Sequence, residues 1–191
     1  MVELGDKRLI LASGSPRRQE LLKGLDVDFE IRVKECDESV EDNIPIEEHA
    51  LYLAHKKGEE YAIDMAKDEI IITSDTTVVL DHEVLNKAAD EKEAKAMLRK
   101  LSGRTHRVIT GVCIQSVDKK ESFSDLAYVR FKQLSEDEID YYISKYQPFD
   151  KAGAYGIQEW LGYIAIDKIE GSYYTIMGFP LHKVFEALNK F

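Results

Sequence analysis

Cysteine is almost missing from this chain. Cys36 and Cys113 are its only two in 191 residues, and neither stands in a Cys-x-x-Cys or Cys/His ligand pattern. A disulfide framework and a zinc site therefore have little support, and both thiols read as reduced and partly buried. Four prolines and eleven glycines are spread thinly, with no Pro/Gly-rich stretch to serve as a linker, no low-complexity tract and no repeat of solenoid period. No apolar run approaches the length of a membrane-spanning helix, and Met1 to Lys7 is charged where a signal peptide would need an apolar core. Basic charge is in the minority: 26 Lys and Arg against 36 Asp and Glu leave a formal charge of −10. Nucleic acid and anionic membrane would be repelled over most of such a surface, so neither is expected as a partner. The default expectation is a cytoplasmic protein, in which any anionic substrate must be met by a local basic cluster.

A chain of this length can bury a full core, and one domain over residues 1–191 is expected. The apolar run Arg8–Ala12 reads as a strand, followed by a turn and a helix over Pro16–Leu25. Asp28–Val33 alternates like a second strand. Pro45 opens a long helix, roughly Ile46 to Ala66, with apolar residues at helical spacing. Three consecutive isoleucines in Glu69–Ser74 predict a strand buried on both faces, which Asp75 ends. Val78–Leu80 and Val84–Leu85 flank a plausible hairpin turn. Asp90 with Glu93, and Ser135 with Glu138, predict helix N-termini. Thr105–Val117 and Glu121–Gln133 predict a long antiparallel hairpin. Gly162–Ile169 is strand-like, and Pro180 opens a last helix with Leu181, Val184, Phe185 and Leu188 inward. The fold class is thus α/β, a single domain with a mixed twisted sheet, a long antiparallel hairpin, flanking helices and a ligand cleft.

Ser13-Gly14-Ser15-Pro16-Arg17-Arg18 lets backbone approach a ligand, suits a helix start and adds two forked donors at an electropositive terminus. It could hold phosphate, although alone it equally fits an ordinary strand-to-helix connection. No Walker lysine ends it. Asp75, after a buried strand, is well placed for catalysis or metal binding if the strand's carboxyl end faces a crevice, and is otherwise a turn former. Asp37 and Glu38 form a second carboxylate cluster or a solvated acidic loop. Lys57 and Lys87 read equally as surface lysines. His106 reads as a packing or turn residue. Asp150 to Gln158, with two glycines, a Tyr and a Gln, reads as a loop that contacts a planar hydrogen-bonding ligand, or as a packing turn.

Taken together and in order, these segments resemble the Maf family. They are Ser13 to Arg18, Asp75-Thr76, Lys87, Lys100-Leu101-Ser102-Gly103 with His106, Asp150 to Gln158, Gly171-Ser172-Tyr173 and Gly178-Phe179-Pro180. The resemblance runs from Leu9 to the last helix. It implies a fold similar to inosine triphosphate pyrophosphatases and an enzyme that cleaves nucleoside triphosphates to monophosphate and pyrophosphate. Arg17, Thr76 and Gln158 match the branch that acts on dTTP and UTP. By the same resemblance Asp75 is the proton acceptor. Glu38 and Asp75 hold Mg²⁺ or Mn²⁺, and Ser13, Arg17, Arg18, Lys57 and Lys87 grip the triphosphate. A homodimer is a further family expectation, and so is the rival role of a nucleotide-binding regulator of septum formation. A phosphatase releasing orthophosphate is a third reading. Gln147, Ala88 and Thr175 depart from the frequent Glu, Pro and Asn of the family, at no proposed catalytic position.

Overall fold

Residues 2–191 are described by a computed structural model. Its elements alternate as the apolar patterning requires: β1 (Arg8–Leu11), α1 (Pro16–Lys23), β2 (Glu30–Ile31), α2 (His49–Ala62), β3 (Glu69–Leu80), β4 (Glu83–Leu85), α3 (Glu91–Leu101), β5 (Thr105–Gln115), β6 (Lys120–Phe131), α4 (Glu136–Tyr146), α5 (Trp160–Ala165), β7 (Ile166–Glu170), α6 (Tyr173–Ile176) and α7 (Leu181–Leu188). Two compact units emerge. The first holds Met1–Asp75, Thr110–Asp125 and Gly178–Phe191, and the second holds Thr76–Ile109 and Leu126–Met177. Strands β3, β5 and β6 each pass from one into the other.

In the first unit β1 lies between β2 and β3, parallel to both, with Ile10 opposite Glu30 on one side and Ile71 on the other. Ile70, Ile71 and Ile72 are fully buried, as an apolar run in a parallel sheet should be. Ile10, Ala12, Tyr61 and Ile71 pack together with Cys36 and Met65. Tyr61 donates to the Arg32 carbonyl at 2.8 Å and accepts from the Lys34 amide at 2.7 Å, fastening the segment after β2 to α2. At the start of β3, Glu69 is buried and meets both Arg8 and Arg32, at 3.0 and 2.6 Å. Those guanidinium groups, Arg32 above all, hold its carboxyl down to about 2, against the opposing effect of burial.

Helix α2 lies unusually close on the sheet. Thr73 donates its hydroxyl to the Ala54 carbonyl at 2.6 Å, and the Gln115 amide donates to the Gly58 carbonyl at 2.5 Å. Gly111 on β5 makes the approach possible, because a Cβ there would stand 2.4 Å from the Ala50 carbonyl oxygen and the Leu51 nitrogen.

The second unit is built on β4 pairing antiparallel with β3 and β7 pairing antiparallel with β6. Its core gathers Leu85, Leu98, Leu101, Val129, Phe131, Tyr142 and Leu161 among others. Both expected N-terminal caps form: Asp90 accepts from the Glu93 amide at 2.8 Å, and Ser135 with Glu138 closes a reciprocal capping box.

Four expectations need correction. Strand β3 does not stop at Asp75. It continues to Leu80, because Thr76 to Leu80 is rich in β-branched residues and its end is paired by β4 across a turn at Asp81-His82. The long helix is shorter than its pattern: Ile46–Glu48 is a 3₁₀ turn, and α2 ends at Ala62, where the apolar stripe runs out at exposed Ile63. Gly162–Ile169 is not one strand. Leu161 and Ala165, four apart and both buried, make the first part a short helix, and only Ile166–Glu170 is extended. On the last helix Phe185 is exposed, so the inward face is narrower than expected.

Two outcomes follow from the first unit. Glu69 has its carboxyl depressed in the folded state, so it contributes stability above its ordinary value of 4.5 and loses that contribution as pH falls toward about 2. The difference in urea midpoint between wild type and Glu69→Gln should be widest near neutrality and shrink steadily below pH 4.5. A difference that stays constant down to pH 3 would remove Glu69 as an acid-sensitive anchor. Gly111→Ala should cost about 1–3 kcal/mol or more, since backbone must move to admit the methyl group. Gly58→Ala meets its neighbours at 3.4 Å or beyond and should be tolerated. Thermal melts of both variants check this order.

Candidate functional site

Strand β1 delivers the chain into Ser13, and Pro16 starts α1 without a missing hydrogen bond. The Ser13 hydroxyl accepts from the Ser15 amide at 3.2 Å and from Arg18 Nη1 at 3.4 Å. Arg18 is fixed more firmly by backbone. Its Nη1 donates to the Ser74 carbonyl at 2.7 Å and its Nε to the Gly178 carbonyl at 2.9 Å. Gly178 has φ +92°, a conformation that favours glycine, and its carbonyl also accepts from the Ser74 hydroxyl. Burial lowers the Arg18 guanidinium from its ordinary value, against the opposing pull of the nearby Asp75 charge. Arg17 is its half-buried neighbour on the first turn of the same helix.

Asp75 sits in the middle of β3 on the face that meets α2. The two-residue period of a strand gives it the same side as Thr73, whose hydroxyl bonds Ala54, and turns Ser74 and Thr76 to the other side. Lys57 on α2 donates to Asp75 Oδ1 at 2.7 Å and stands 2.8 Å from Glu38 Oε1. Asp75 and Lys57 are mostly buried, at 16% and 14% side-chain exposure, whereas Glu38 is half exposed. Burial by itself would lower the Lys57 ammonium, but Asp75 and Glu38 outweigh it and raise the group above its ordinary value. Lys57 is therefore a fixed cation between two carboxylates.

The acidic loop splits by function. Asp37 pairs with Lys56 at 2.6 Å and with Ser39, while Glu38 faces Lys57. Among the described residues no group of three or more His, Cys, Asp and Glu could by itself hold a metal. Asp75 and Glu38 are nonetheless two hard oxygen donors brought together on either side of the Lys57 ammonium. That fits a magnesium-like ion, which takes one or two carboxylates and completes its shell with water and phosphate oxygens.

Ser13, Arg18, Glu38, Lys57 and Asp75 are thus linked within the first unit by bonds that the sequence could not supply. Lys87 and Gln158 are linked within the second. Lys87 follows β4 and forms an isolated antiparallel bridge with Ala152, and the Gly153 amide donates to the Leu85 carbonyl at 2.9 Å. Gln158 lies near the end of the same loop, partly buried, with its Oε1 buried and without a hydrogen-bond partner. A buried acceptor of that kind is costly unless something donates to it.

His106 is buried, with its ring at 2.7 Å from the Tyr155 hydroxyl and edge-on to Phe131, and burial pushes it down to about 3. The packing role expected for it agrees with that environment. Cys36 and Cys113 are free, and burial raises both thiols. Two anchors were not foreseen: the Ser74 and Gly178 carbonyls that aim Arg18, and a buried Tyr142, Lys151 and Glu159 group beneath the Gln158 loop. For the first, the Gly-Phe-Pro turn at 178–180 was the available signal. For the second there was none beyond the loop itself.

A "dTTP/UTP pyrophosphatase" of Parabacteroides distasonis is 50% identical over 185 residues, covering 96% of each chain. One of Porphyromonas gingivalis is 47% identical over 96% of this chain and 94% of its own. In fold alone, the Staphylococcus aureus Ham1 protein is similar, with a TM-score of 0.50 at 14% identity over 65% of this chain and 72% of that one. The profile described as "Maf-like protein" matches residues 8–191, and with relatives near half identity along almost their whole length, this chain belongs to the Maf family.

Proposed function

We propose that the protein, acting as one domain over residues 1–191, is a nucleoside triphosphate pyrophosphatase that hydrolyses dTTP and UTP to the monophosphate and pyrophosphate. The observation that carries this reading is the mostly buried Lys57 ammonium between Asp75 and Glu38. The names of its relatives support the substrate class. Phosphoryl transfer asks for an oriented water, a proton acceptor and positive charge where the leaving group develops its negative charge. Glu38 and Asp75 are the residues that would hold Mg²⁺ or Mn²⁺, which when bound supplies polarisation of phosphate oxygens and water.

Lys57 holds Asp75 Oδ1, so the carboxylate has one orientation and takes the proton of the attacking water on its other oxygen. Arg18, aimed by the Ser74 and Gly178 carbonyls, joins Ser13, Arg17 and Lys87 in binding the phosphates. A protein of formal charge −10 can accept a polyanion because these cations are local and held. Gln158 reads the base. Thymine and uracil present an N3–H donor between two carbonyls, and an amide oxygen that has no protein donor is its complement. Arg17 and Thr76 complete the pyrimidine selection. The same proposal includes cytoplasmic action as a homodimer, which sedimentation of the purified protein tests.

Asp75→Asn keeps the side-chain size and removes the base, so turnover of dTTP should fall by ~10²–10⁴ with the fold intact by circular dichroism. Near-normal turnover would end the assignment. In H₂¹⁸O the label should enter dTMP and leave the pyrophosphate unlabelled, because water attacks the α-phosphorus. Labelled orthophosphate with dTDP would mean a phosphatase, and tight binding without turnover would favour the regulator. Gln158→Ala should reduce kcat/KM for dTTP and UTP more than for purine triphosphates; an equal loss on every base would make Gln158 a loop-forming residue only.

A further inference from the structure

The loop that carries Gln158 is closed at its base by side chains that none of the foregoing uses. Lys151 stands at its start and Glu159 at its end, and their Nζ and Oε1 are 3.1 Å apart with Lys151 almost wholly buried. The other Glu159 oxygen, Oε2, takes a short hydrogen bond from the Tyr142 hydroxyl of α4. That hydroxyl in turn accepts from the Gly156 amide at 2.9 Å, in the middle of the loop. Tyr142 is fully buried, and burial together with the Glu159 charge raises its phenol, which stays a donor. Lys151 also reaches Asp150 at 2.7 Å.

The closure has something to hold. Ala154 lies within it at φ +57°, a conformation that strains an L side chain and persists only where its surroundings impose it. The other end of the loop needs no such help, because Ala152 and Gly153 are bonded by backbone to Lys87, Leu85 and Asn86. At the Gln158 end the Tyr163 hydroxyl holds the Gln158 carbonyl at 2.7 Å and the Glu159 amide the Gly156 carbonyl at 3.1 Å, so the backbone there is tethered while the direction of the side chains depends on the closure.

We propose that Glu159, closed by Lys151 and Tyr142, is a specificity-determining positioning residue: it touches no substrate and sets the amide of its neighbour Gln158 against the base. This rests on the reading of Gln158 as the base-contacting residue. Since a fixed donor or acceptor discriminates only when it cannot swing away, loss of the clasp should cost selectivity more than catalysis.

The test is a double-mutant cycle on full-length protein, scored as the ratio of kcat/KM for dTTP to that for dATP. Glu159→Gln should lower the ratio by about tenfold, chiefly through a higher KM for dTTP, with kcat within about twofold. Tyr142→Phe removes only a hydroxyl and should act in the same direction while the melt shows a folded protein; it stands in if Glu159→Gln does not fold. Lys151→Arg should restore most of what Lys151→Met loses. In a Gln158→Ala background, Glu159→Gln and Tyr142→Phe should have no further effect on the ratio. Additive losses there, or losses shared equally by dTTP and dATP, overturn the proposal while leaving Gln158 as the base reader. A Gln158→Ala single variant with an unchanged ratio overturns both.

Discussion

The ammonium of Lys57, held at 2.7 Å from Asp75 and 2.8 Å from Glu38, is the interaction around which the first unit is arranged. A lysine on a helix reaches a carboxylate in the middle of a strand only if the helix lies almost on the sheet. Gly111 without a side chain, the Thr73 hydroxyl on the Ala54 carbonyl and the Gln115 amide on the Gly58 carbonyl provide that approach. The buried acid at the start of the same strand, Glu69, ties β3 to Arg8 on β1 and to Arg32 just beyond β2. A stability device and a chemical device thus occupy one strand six residues apart.

Charge is the second constraint. An acidic protein cannot attract a triphosphate by its overall field, so affinity has to come from cations held at short range against a low-dielectric background. Arg18 is the clearest case. It is aimed by the Ser74 and Gly178 carbonyls, which fix its direction. Lys57 is a different case, a cation kept between two acids.

The selection of the base that we propose belongs to different physics. Within the second unit, the Gln158 loop is held by hydrogen bonds and one buried ion pair rather than by apolar side chains alone. Such a network is costly when partly satisfied and rigid when complete, and a rigid loop is what a hydrogen-bonding reader requires.

Legible in the chain alone were the α/β class, the capped helices at Asp90 and Ser135, the buried isoleucine strand and, through ordered motifs, the family. These are written in local patterns: apolar spacing, cap residues and short segments whose order survives reading in one dimension. The sequence also suggested Asp75, but for a mistaken reason, since period and propensity cannot tell where a polar triplet ends a strand and where pairing with β4 carries it through. Folding in three dimensions was needed to bring Lys57 rather than Lys56 to Asp75, to join Glu38 to it while Asp37 turns to Lys56, and to aim Arg18 from Gly178, 160 residues away. Those pairings are long-range, and each depends on a helix approach or a turn conformation that no neighbouring residue encodes. The same holds for Tyr142, Lys151 and Glu159, ordinary residues in the sequence that became a clasp when α4 packed under the loop.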